Sequence, residues 1–439
     1  MQGNIAAFAI FPHCRDNLIM AQLARFFALR NLYYRHKATL DALAILKYIG
    51  PGFLVTVGFI DPGNWVADVA AGSRYGYELL WVITLSTLML IVLQHNAAHL
   101  GIATGLCLSE ASSTYAGKTT SRLFLASAVL ASISTALAEV LGAAIGLNML
   151  FGLNIMVGAV LSSLFTIYML FSNGYRKIER WIIGLVSLVG VSLLFQLSLV
   201  NIRWADVLKA SFVPFIPHGS VPVVLGALGA VVMPHNLFLH SEIIQSRQWN
   251  TKGDSMIKKQ LRFEFTDTLF AMILGWAINC AIIMMAASVF FSHSIYVTQL
   301  TQARETMRPL LGNASAFVFG AALLFSGVSS SVTAGMAGGS IFAGLFKEPY
   351  NHRDPHTRAG ILITIIGALF VILFIRDAFA GILWSQIALG LQLPFTIIML
   401  VMLTSSRKVM GRFSNRPATT ALLWAIAAAI TVINIVLIV

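Results

Sequence analysis

Two short strings, Asp61-Pro62-Gly63-Asn64 and Met233-Pro234-His235-Asn236, interrupt stretches of sequence that are otherwise apolar. Each places a proline, which cannot donate to the helical hydrogen-bond ladder, inside a segment long enough to cross a bilayer. The backbone groups freed at such a break must be buried in protein or line a cavity, because lipid cannot hydrogen-bond them. The two strings therefore predict two broken membrane helices. Broken helices in corresponding positions of two halves are typical of a transporter's binding site.

The composition is that of a polytopic membrane protein. Of the 439 residues, 58% are hydrophobic and only 10% are charged. The mean hydropathy is +0.82, which excludes a soluble domain. We predict an all-α protein with eleven transmembrane helices, of which the first and sixth are broken. The predicted limits are 46–74, 78–103, 122–149, 154–172, 180–200, 219–246, 264–292, 314–346, 358–375, 379–403 and 418–438.

The distribution of positive charge predicts the orientation in the membrane. The formal net charge is +12, and a cytoplasmic N-terminus places 23 of the 29 Lys and Arg residues in cytoplasmic segments and 6 in external loops. This bias predicts the N-terminus in the cytoplasm and the C-terminus outside the cell. It also accounts for the basic composition without nucleic acid, and anionic lipid is the expected partner of these charges. The short loops favour the plasma membrane of a prokaryote.

The two breaks also predict an internal repeat. Pro62 and Pro234 are each followed by an asparagine two residues on, and they lie five spans apart. Because five is odd, the two halves have opposite orientations, which predicts an inverted repeat of five spans against five. Residues 45–439 then form one transmembrane domain. It divides into a first repeat over 45–200, a second repeat over 219–403 and an extra helix over 418–438.

Residues 1–44 are predicted to be a cytoplasmic extension, and we assign no function to them. Short apolar runs alternate there with arginines, no run is long enough to span a bilayer, and no signal-peptide cleavage pattern is present. Two interpretations stay open. The segment is an amphipathic helix, or translation starts at Met20.

Five residues around the breaks are candidate ligands of a cation. Asp61 can be a structural salt-bridge partner, but its place at a helix break favours a ligand role. Asn64 can turn its amide oxygen to the same ion, and the Ala230 carbonyl is free if the sixth helix unwinds. Met233 is either packing material or a soft ligand, which suits Mn²⁺ and Fe²⁺ better than Ca²⁺ or Mg²⁺. Gln386 in span 10 is either a further oxygen donor or a satisfied intramembrane amide.

Three further residues are candidates for proton transfer or gating. Glu139 in span 3 is either a proton acceptor near the site or a structural hydrogen-bond partner. His235 can ligate a metal, but its place just after the break favours a proton path or gate. His240 is expected to line the inner vestibule on the same half-helix. The i, i+4 pair His95 and His99 can bind metal, but its place at the inner end of span 2 favours a structural role.

An enzyme is not predicted. A membrane metalloenzyme such as a di-iron hydroxylase would need several His-x₃-His clusters inside its spans. Among the 10 His only two such pairs occur, His95/His99 and His352/His356, and the second lies outside the predicted spans. Cys14, Cys107 and Cys280 have neither metal-site nor disulfide spacing, and we expect them to be inert packing residues.

At these residues the chain resembles the Nramp family of divalent-metal transporters, which includes the bacterial MntH proteins. Asp61-Pro62-Gly63-Asn64 is similar to the family's first-helix motif, and Ala230-x-x-Met233-Pro234-His235 to its sixth-helix motif. The segment Gly72–Tyr77 with Leu79–Trp81, and Gln386 in span 10, are also similar. The resemblance implies the LeuT-like inverted-repeat fold and uptake of Mn²⁺ or Fe²⁺, usually coupled to protons. It implies Asp61, Asn64, Met233 and the Ala230 carbonyl as metal ligands.

The chain departs from the family pattern along the proton path. Family members commonly have an aspartate three residues before the third-helix glutamate, and here Ala136 precedes Glu139. They also have arginines early in the ninth helix, where this chain has Gly360 and Ile361; the nearest arginine is Arg358. A carboxylate and its arginine partners missing together look coordinated, because a buried unpaired charge is costly. We therefore predict an intact metal site with proton coupling that is weakened or rerouted through Glu139 and His235.

The predicted function is import of Mn²⁺, and of Fe²⁺ with it, by alternating access. Two alternatives stay open: an Nramp-related Mg²⁺ transporter, whose site would be larger and lack a thioether, and an amino-acid or Na⁺ transporter of the same fold. The second would have small unwound residues where Asp61 and Met233 stand. No cofactor is expected, since the metal is the transported substrate. The sequence leaves the oligomeric state open.

Overall fold

The computed structural model describes residues 56–173, 175–246 and 248–438. The expectations for residues 1–44, and for the inner part of the first predicted span, therefore lie outside the described residues.

Within these ranges the chain is helical, and it contains no strand. A short 3₁₀ turn over Thr56–Phe59 precedes the first break. The α-helices are α1 (Pro62–Tyr75), α2 (Leu80–Thr104), α3 (Leu108–Tyr115), α4 (Lys118–Phe151), α5 (Ile155–Ser172), α6 (Tyr175–Leu197), α7 (Trp204–Phe212), α8 (Val221–Val231), α9 (Pro234–Gln245), α10 (Asp254–Val289), α11 (Leu300–Gly344), α12 (Pro355–Ile372), α13 (Ala378–Ser405), α14 (Arg407–Met410) and α15 (Pro417–Ile438).

The described part contains 10 helical segments that are long and apolar enough to cross a membrane, with α8 and α9 counted as one. They correspond to the second to eleventh predicted spans. The first predicted span is represented by α1, which has 14 residues and begins at the break. Both predicted interruptions are present, because α1 starts at Pro62 and α9 starts at Pro234.

One predicted helix start was wrong. α10 begins at Asp254 rather than at residue 264, because hydropathy detects only the apolar part of a helix and α10 has polar turns before it. The predicted span 314–346 agrees with the apolar segment Gly312–Gly344. α11 continues back to Leu300 across a kink at Gly312, whose φ is 87° and ψ is 168°. Such a φ favours glycine.

The short helices α3 and α7 were not predicted. α3 is polar, and it begins with a capping box in which Glu110 accepts from the backbone of Cys107. α7 follows α6, and several of its apolar side chains, including Trp204 and Phe212, are exposed. Neither helix has the length or apolar content by which membrane spans are detected.

Small residues bring α4 and α11 into close contact beside the first break. A Cβ atom on Gly327 of α11 would lie 2.4 Å from the backbone nitrogen of Ala143 in α4. A Cβ on Gly146 of α4 would lie 2.7 Å from the backbone of Leu324 in α11. Backbone contact of this kind is typical of packed membrane helices. It places the middle of α4, which carries Glu139, deep in the protein.

Candidate functional site

Side chains pair several of the backbone groups freed at the first break. Asp61 caps α1, and its Oδ1 accepts from the Asn64 backbone nitrogen at 2.6 Å and from the Asn64 side chain at 3.0 Å. The Ile60 carbonyl accepts from the Trp65 indole nitrogen at 2.9 Å and from the Ser326 hydroxyl. Ser326 thus hydrogen-bonds across helices. The second oxygen of Asp61, Oδ2, is buried and has no hydrogen-bond partner among the described residues.

The second break faces the first. α8 ends at Val231, and Met233 lies in an extended conformation, with φ of −74° and ψ of 125°, before Pro234 starts α9. The Asn64 side-chain nitrogen of the first break donates to the Ala230 carbonyl at 3.1 Å. This hydrogen bond joins residues 166 positions apart. The structure therefore brings the predicted residues Asn64 and Ala230 into direct contact.

Gln386 of α13 lies between the two breaks. A Cβ atom on Gly63 would lie 2.2 Å from its side-chain Nε2, and a Cβ on Gly229 would lie 2.2 Å from its backbone oxygen. Only glycines at these two positions allow α13 to approach both broken helices. The Gln386 Oε1 is buried and lacks a partner among the described residues, as does the Asp61 Oδ2. Two oxygens without donors thus lie at the same pair of breaks.

Asn236 contacts the sulfur of Met233, the soft ligand among the five candidate ligand residues. Its Nδ2 lies 3.7 Å from the Met233 sulfur, and a Cβ on Gly58 would lie 1.9 Å from the same nitrogen. The Gly58 carbonyl also accepts from Asn64 at 2.5 Å. Asn236 therefore connects the second break to the turn that precedes the first. Sequence reasoning noted it only as the asparagine that follows Pro234.

Glu139 lies beside Asp61. The two carboxyl groups interact directly, and a Cβ on Gly142, one turn along α4, would lie 2.1 Å from the Pro62 ring. Ser330 is also next to Glu139, but its hydroxyl donates to the Ser326 carbonyl at 2.9 Å. Both Glu139 oxygens are buried without a donor from the described residues. The glutamate predicted as a proton acceptor is therefore next to the predicted metal ligand.

His235 extends this group of polar residues along α4. Its Nδ1 lies 3.0 Å from the Thr135 hydroxyl, and the imidazole is buried. Thr135 and Glu139 are four residues apart and so share one face of α4. The side chain of His235 thus points towards the helix that carries Glu139.

His240 belongs to a second buried network, five residues nearer the end of α9 than His235. Its Nδ1 lies 2.8 Å from the Gln94 Oε1 of α2, and its Nε2 lies 3.9 Å from Glu264 of α10. Glu264 also binds His95 at 2.5 Å and accepts from Thr268 at 2.6 Å. These contacts tie α2, α9 and α10 together. The structural role expected for His95 is consistent with this network.

Sequence reasoning missed Glu264 and Asn279. Glu264 stood at the polar edge of a predicted span, where a charge needs no special explanation. Asn279 lies in the middle of α10, 3.2 Å from the Asn64 oxygen and, with its amide turned over, 3.2 Å from the Asp68 Oδ2. The sequence signal that could have identified Asn279 is its position as a polar residue inside a predicted membrane span.

A cavity of about 1240 Å³ opens at the other end of the molecule from the His240 network. It is bordered by the end of α1, the α6–α7 connection and the end of α10, and it has charged groups on its wall, among them Glu78, Arg203, Asp206, Lys209 and His293.

The donors at the breaks are a carboxylate, amide and carbonyl oxygens and a thioether. All five predicted ligand residues are at most 1% exposed. Oxygen donors suit Mg²⁺, Ca²⁺ and Mn²⁺, and thioether sulfur favours softer transition metals. Among divalent ions, this mixed set fits a first-row transition metal best.

Comparison with known proteins agrees with this arrangement. A family model described as natural resistance-associated macrophage protein-like, or Nramp, matches residues 52–439. The chain belongs to the Nramp family. It is 35% identical over 411 residues to the divalent metal cation transporter MntH of Caldanaerobacter subterraneus subsp. tengcongensis, which spans 92% of this chain and 94% of the relative.

Solved structures with a similar fold agree with the match to the Nramp family. The crystal structure of the Eremococcus coleocola manganese transporter has 29% sequence identity and a TM-score of 0.76, and it covers 91% of this chain and 87% of its own. The nucleobase-cation-symport-1 transporter Mhp1 has 15% identity and a TM-score of 0.60, covering 88% of each chain, and so shares the fold alone. The predicted LeuT-like helical membrane fold and the Nramp resemblance are therefore confirmed.

The structure accommodates the departures of this Nramp chain from its family pattern. Ala136 and Ile361 are fully buried. A Cβ on Gly360 would lie 2.6 Å from Phe342 and 2.7 Å from the Gly338 carbonyl, so the position has no room for an arginine. Arg358 points elsewhere, since its guanidinium covers the Phe171 ring at 5.2 Å and donates to the His352 carbonyl. The packing around Ala136, Gly360 and Ile361 is therefore that of small or apolar side chains and not of charged ones.

Proposed function

We propose that this Nramp chain carries divalent transition-metal ions, Mn²⁺ first and Fe²⁺ with it, across the plasma membrane by alternating access. The observation that supports this most directly is the pair of buried oxygens at the two breaks, Asp61 Oδ2 and Gln386 Oε1, which have no hydrogen-bond donor among the described residues when the carboxyl groups are ionised. A buried carboxylate without a donor is costly. Either the proton shared with Glu139 or a bound cation removes this cost.

Each residue has a distinct part in the proposed binding step. The Asp61 carboxylate supplies the charge, and it replaces much of the ion's hydration energy. Asn64 must release the Ala230 carbonyl, to which its side-chain nitrogen now donates at 3.1 Å. Its own amide oxygen becomes available when it leaves the Asn279 side chain, which lies 3.2 Å away. Met233 contributes the sulfur that distinguishes Mn²⁺ from Mg²⁺ and Ca²⁺. Gln386 adds an oxygen from the opposite helix.

The orientation of the transport cycle follows from the charge bias of the sequence. We place the end of α9 on the cytoplasmic side and the cavity of about 1240 Å³ on the outer side. His240 and Glu242, which would border the inner exit, are at most 6% exposed. The inner side is therefore closed here. Release of the ion requires α9 to move away from α2 and α10.

Proton movement in this proposal runs through Glu139 and His235. Two carboxyl groups in contact in apolar surroundings share a proton unless a cation neutralises them. A metal ion on Asp61 would displace that proton, and Glu139 is the group beside it. His235 and Thr135 offer the next step along α4. We therefore propose coupling that uses this route in place of the usual aspartate and arginines.

The test is Mn²⁺ uptake into liposomes that contain the purified protein, with internal pH followed at the same time. We expect Mn²⁺ to enter, with Mg²⁺ and Ca²⁺ as weak competitors, and the lumen to acidify. Glu139→Gln should reduce acidification more than Mn²⁺ uptake, whereas Glu78→Gln, a change at an exposed glutamate, should alter neither.

The outcomes separate the parts of the proposal. Absence of Mn²⁺ uptake overturns the transport function. Strong competition by Mg²⁺ would instead support the alternative of a Mg²⁺ transporter. Uptake without acidification makes the protein a metal uniporter, and acidification unchanged in Glu139→Gln contradicts the proton route.

A further inference from the structure

Cys107, Glu110 and Glu242 form a second group of buried ligating atoms. The Cys107 sulfur and one oxygen from each carboxylate all lie within 4.8 Å of one another. The three residues are at most 6% exposed. A thiolate with two carboxylates is a donor set for a divalent transition metal, since sulfur disfavours Mg²⁺ and Ca²⁺.

Backbone and hydroxyl donors hold the two carboxylates in place. The Cys107 backbone nitrogen donates to Glu110 at 3.1 Å in the cap of α3. Glu242, near the end of α9, accepts from the Ser340 hydroxyl at 2.7 Å and from the Tyr350 backbone nitrogen at 3.1 Å. Each carboxylate oxygen has two lone pairs, so these bonds leave room for a metal. Hydrogen bonds of this kind also orient metal ligands.

The group has no cation to balance it. Within the described part of the chain, neither Glu110 nor Glu242 forms an ion pair. Buried acidic groups without a counter-charge are unfavourable unless a proton or a metal neutralises them.

Gln245 is an independent observation that supports a cation site at this cluster. Its side chain lies beside Glu110 and hydrogen-bonds to it, and the residue is only 4% exposed. Its Oε1 is nevertheless without a donor among the described residues. A buried amide oxygen is a good further ligand for a divalent cation. A buried oxygen without a donor thus lies beside the two carboxylates.

The group lies on the half-helix that leads away from the breaks. His235 and Glu242 are seven residues apart in α9, which is about two helical turns or roughly 10 Å, so they share one face. An ion that moves along this face of α9 from Met233 reaches Glu242 at its end.

We propose that Cys107, Glu110 and Glu242, with Gln245 beside them, bind a second divalent transition-metal ion at the inner end of α9. Its place on the exit route rests on the proposed function, whereas binding at the cluster does not. The proposal departs from the sequence-based expectation that Cys107 is inert. Spacing cannot reveal this site, because its ligands come from α3 and α9, more than a hundred residues apart.

The experiment titrates Co²⁺ into the purified full-length protein in detergent and records the near-ultraviolet absorption from thiolate-to-Co²⁺ charge transfer. The wild type should develop this band with one equivalent of Co²⁺. Cys107→Ala should remove it, and Cys280→Ala, which changes the other described buried cysteine, should keep it. Glu242→Gln should weaken Co²⁺ binding at least tenfold, as judged by the same band.

Two results would overturn the proposal: no band in the wild type under saturating Co²⁺, or a band that persists in Cys107→Ala. If the alanine variant does not fold, Cys107→Ser serves in its place, because it has nearly the same shape. Asp61→Asn separates this proposal from the transport function. It should abolish Mn²⁺ uptake but retain the thiolate band, so uptake that survives in Asp61→Asn counts against the ligand role of Asp61 and leaves the second site untouched.

Discussion

At the scale of single residues, the site is organised by oxygens that lack donors. Asp61 uses one carboxylate oxygen to cap α1 and leaves the other free. Gln386 has its carbonyl oxygen free while its nitrogen lies 3.2 Å from the Ser385 hydroxyl. In the proposed site, the Asp61 side chain caps α1 with one oxygen and meets the ion with the other. The cap therefore does not have to break when the ion binds.

The prediction at this scale concerns Met233. Met233→Ala removes the soft donor and leaves the oxygens, so preference for Mn²⁺ over Ca²⁺ and Mg²⁺ should fall by roughly tenfold, equivalent to about 1.4 kcal/mol. Competition assays in liposomes measure this preference for Mn²⁺. Met402→Ala, at an exposed methionine of α13, is the matched control and should keep the wild-type preference. Unchanged selectivity in Met233→Ala would contradict the proposal that the Met233 sulfur distinguishes Mn²⁺ from Ca²⁺ and Mg²⁺.

At the scale of helices, close contact between α4 and α1 depends on a glycine. Gly142→Ala would bring a methyl group to within 2.1 Å of Pro62, so the helices must separate. We expect a loss of about 1–3 kcal/mol in stability and slower Mn²⁺ uptake. Gly184→Ala is the control, because nothing lies within 4 Å of that position in α6. Thermal unfolding in detergent and uptake in liposomes measure both effects; equal behaviour of the two variants would contradict the packing argument.

Contacts between helices also close the end of α9 that we place on the cytoplasmic side. Glu264→Gln weakens the contacts with His95 of α2 and His240 of α9, so α9 should open more often and native Cys107, which is fully buried, should be alkylated several-fold faster. Peptide mass spectrometry measures the alkylation. Glu348→Gln breaks a similar but half-exposed pair with His356 and should leave the rate unchanged. A rate unaffected by Glu264→Gln would show that other contacts keep this end closed.

Much of the helix arrangement and part of the candidate site could be predicted from the sequence, for physical reasons. Apolar length locates membrane helices, and Pro62 and Pro234 locate the breaks, because proline cannot continue the ladder. The proximity of Asn64 to Ala230 then follows from pairing the breaks. The His95–Glu264 contact, the place of Asn279 and the short helix α3 could not be predicted. They depend on which helices become neighbours, and hydropathy contains no information about that.

At the scale of the whole molecule, the charge bias predicts which end faces the cytoplasm. A phosphatase fused after Val439 should be active and a fluorescent protein at the same point dark, because the C-terminus is predicted to lie outside. Fusions after Arg416, before α15, should show the reverse pattern. Fluorescence from the fusion after Val439 would invert the assignment of inner and outer sides. The proposed exit at the end of α9 would then become the entrance.

The contact of Gly360 with Phe342 and Gly338 also limits which substitutions this chain can accept. An arginine at position 360 would collide with α11, and an aspartate at position 136 alone would be buried without a counter-charge. A pair of opposite charges at these two positions therefore cannot be introduced one residue at a time unless α11 also moves.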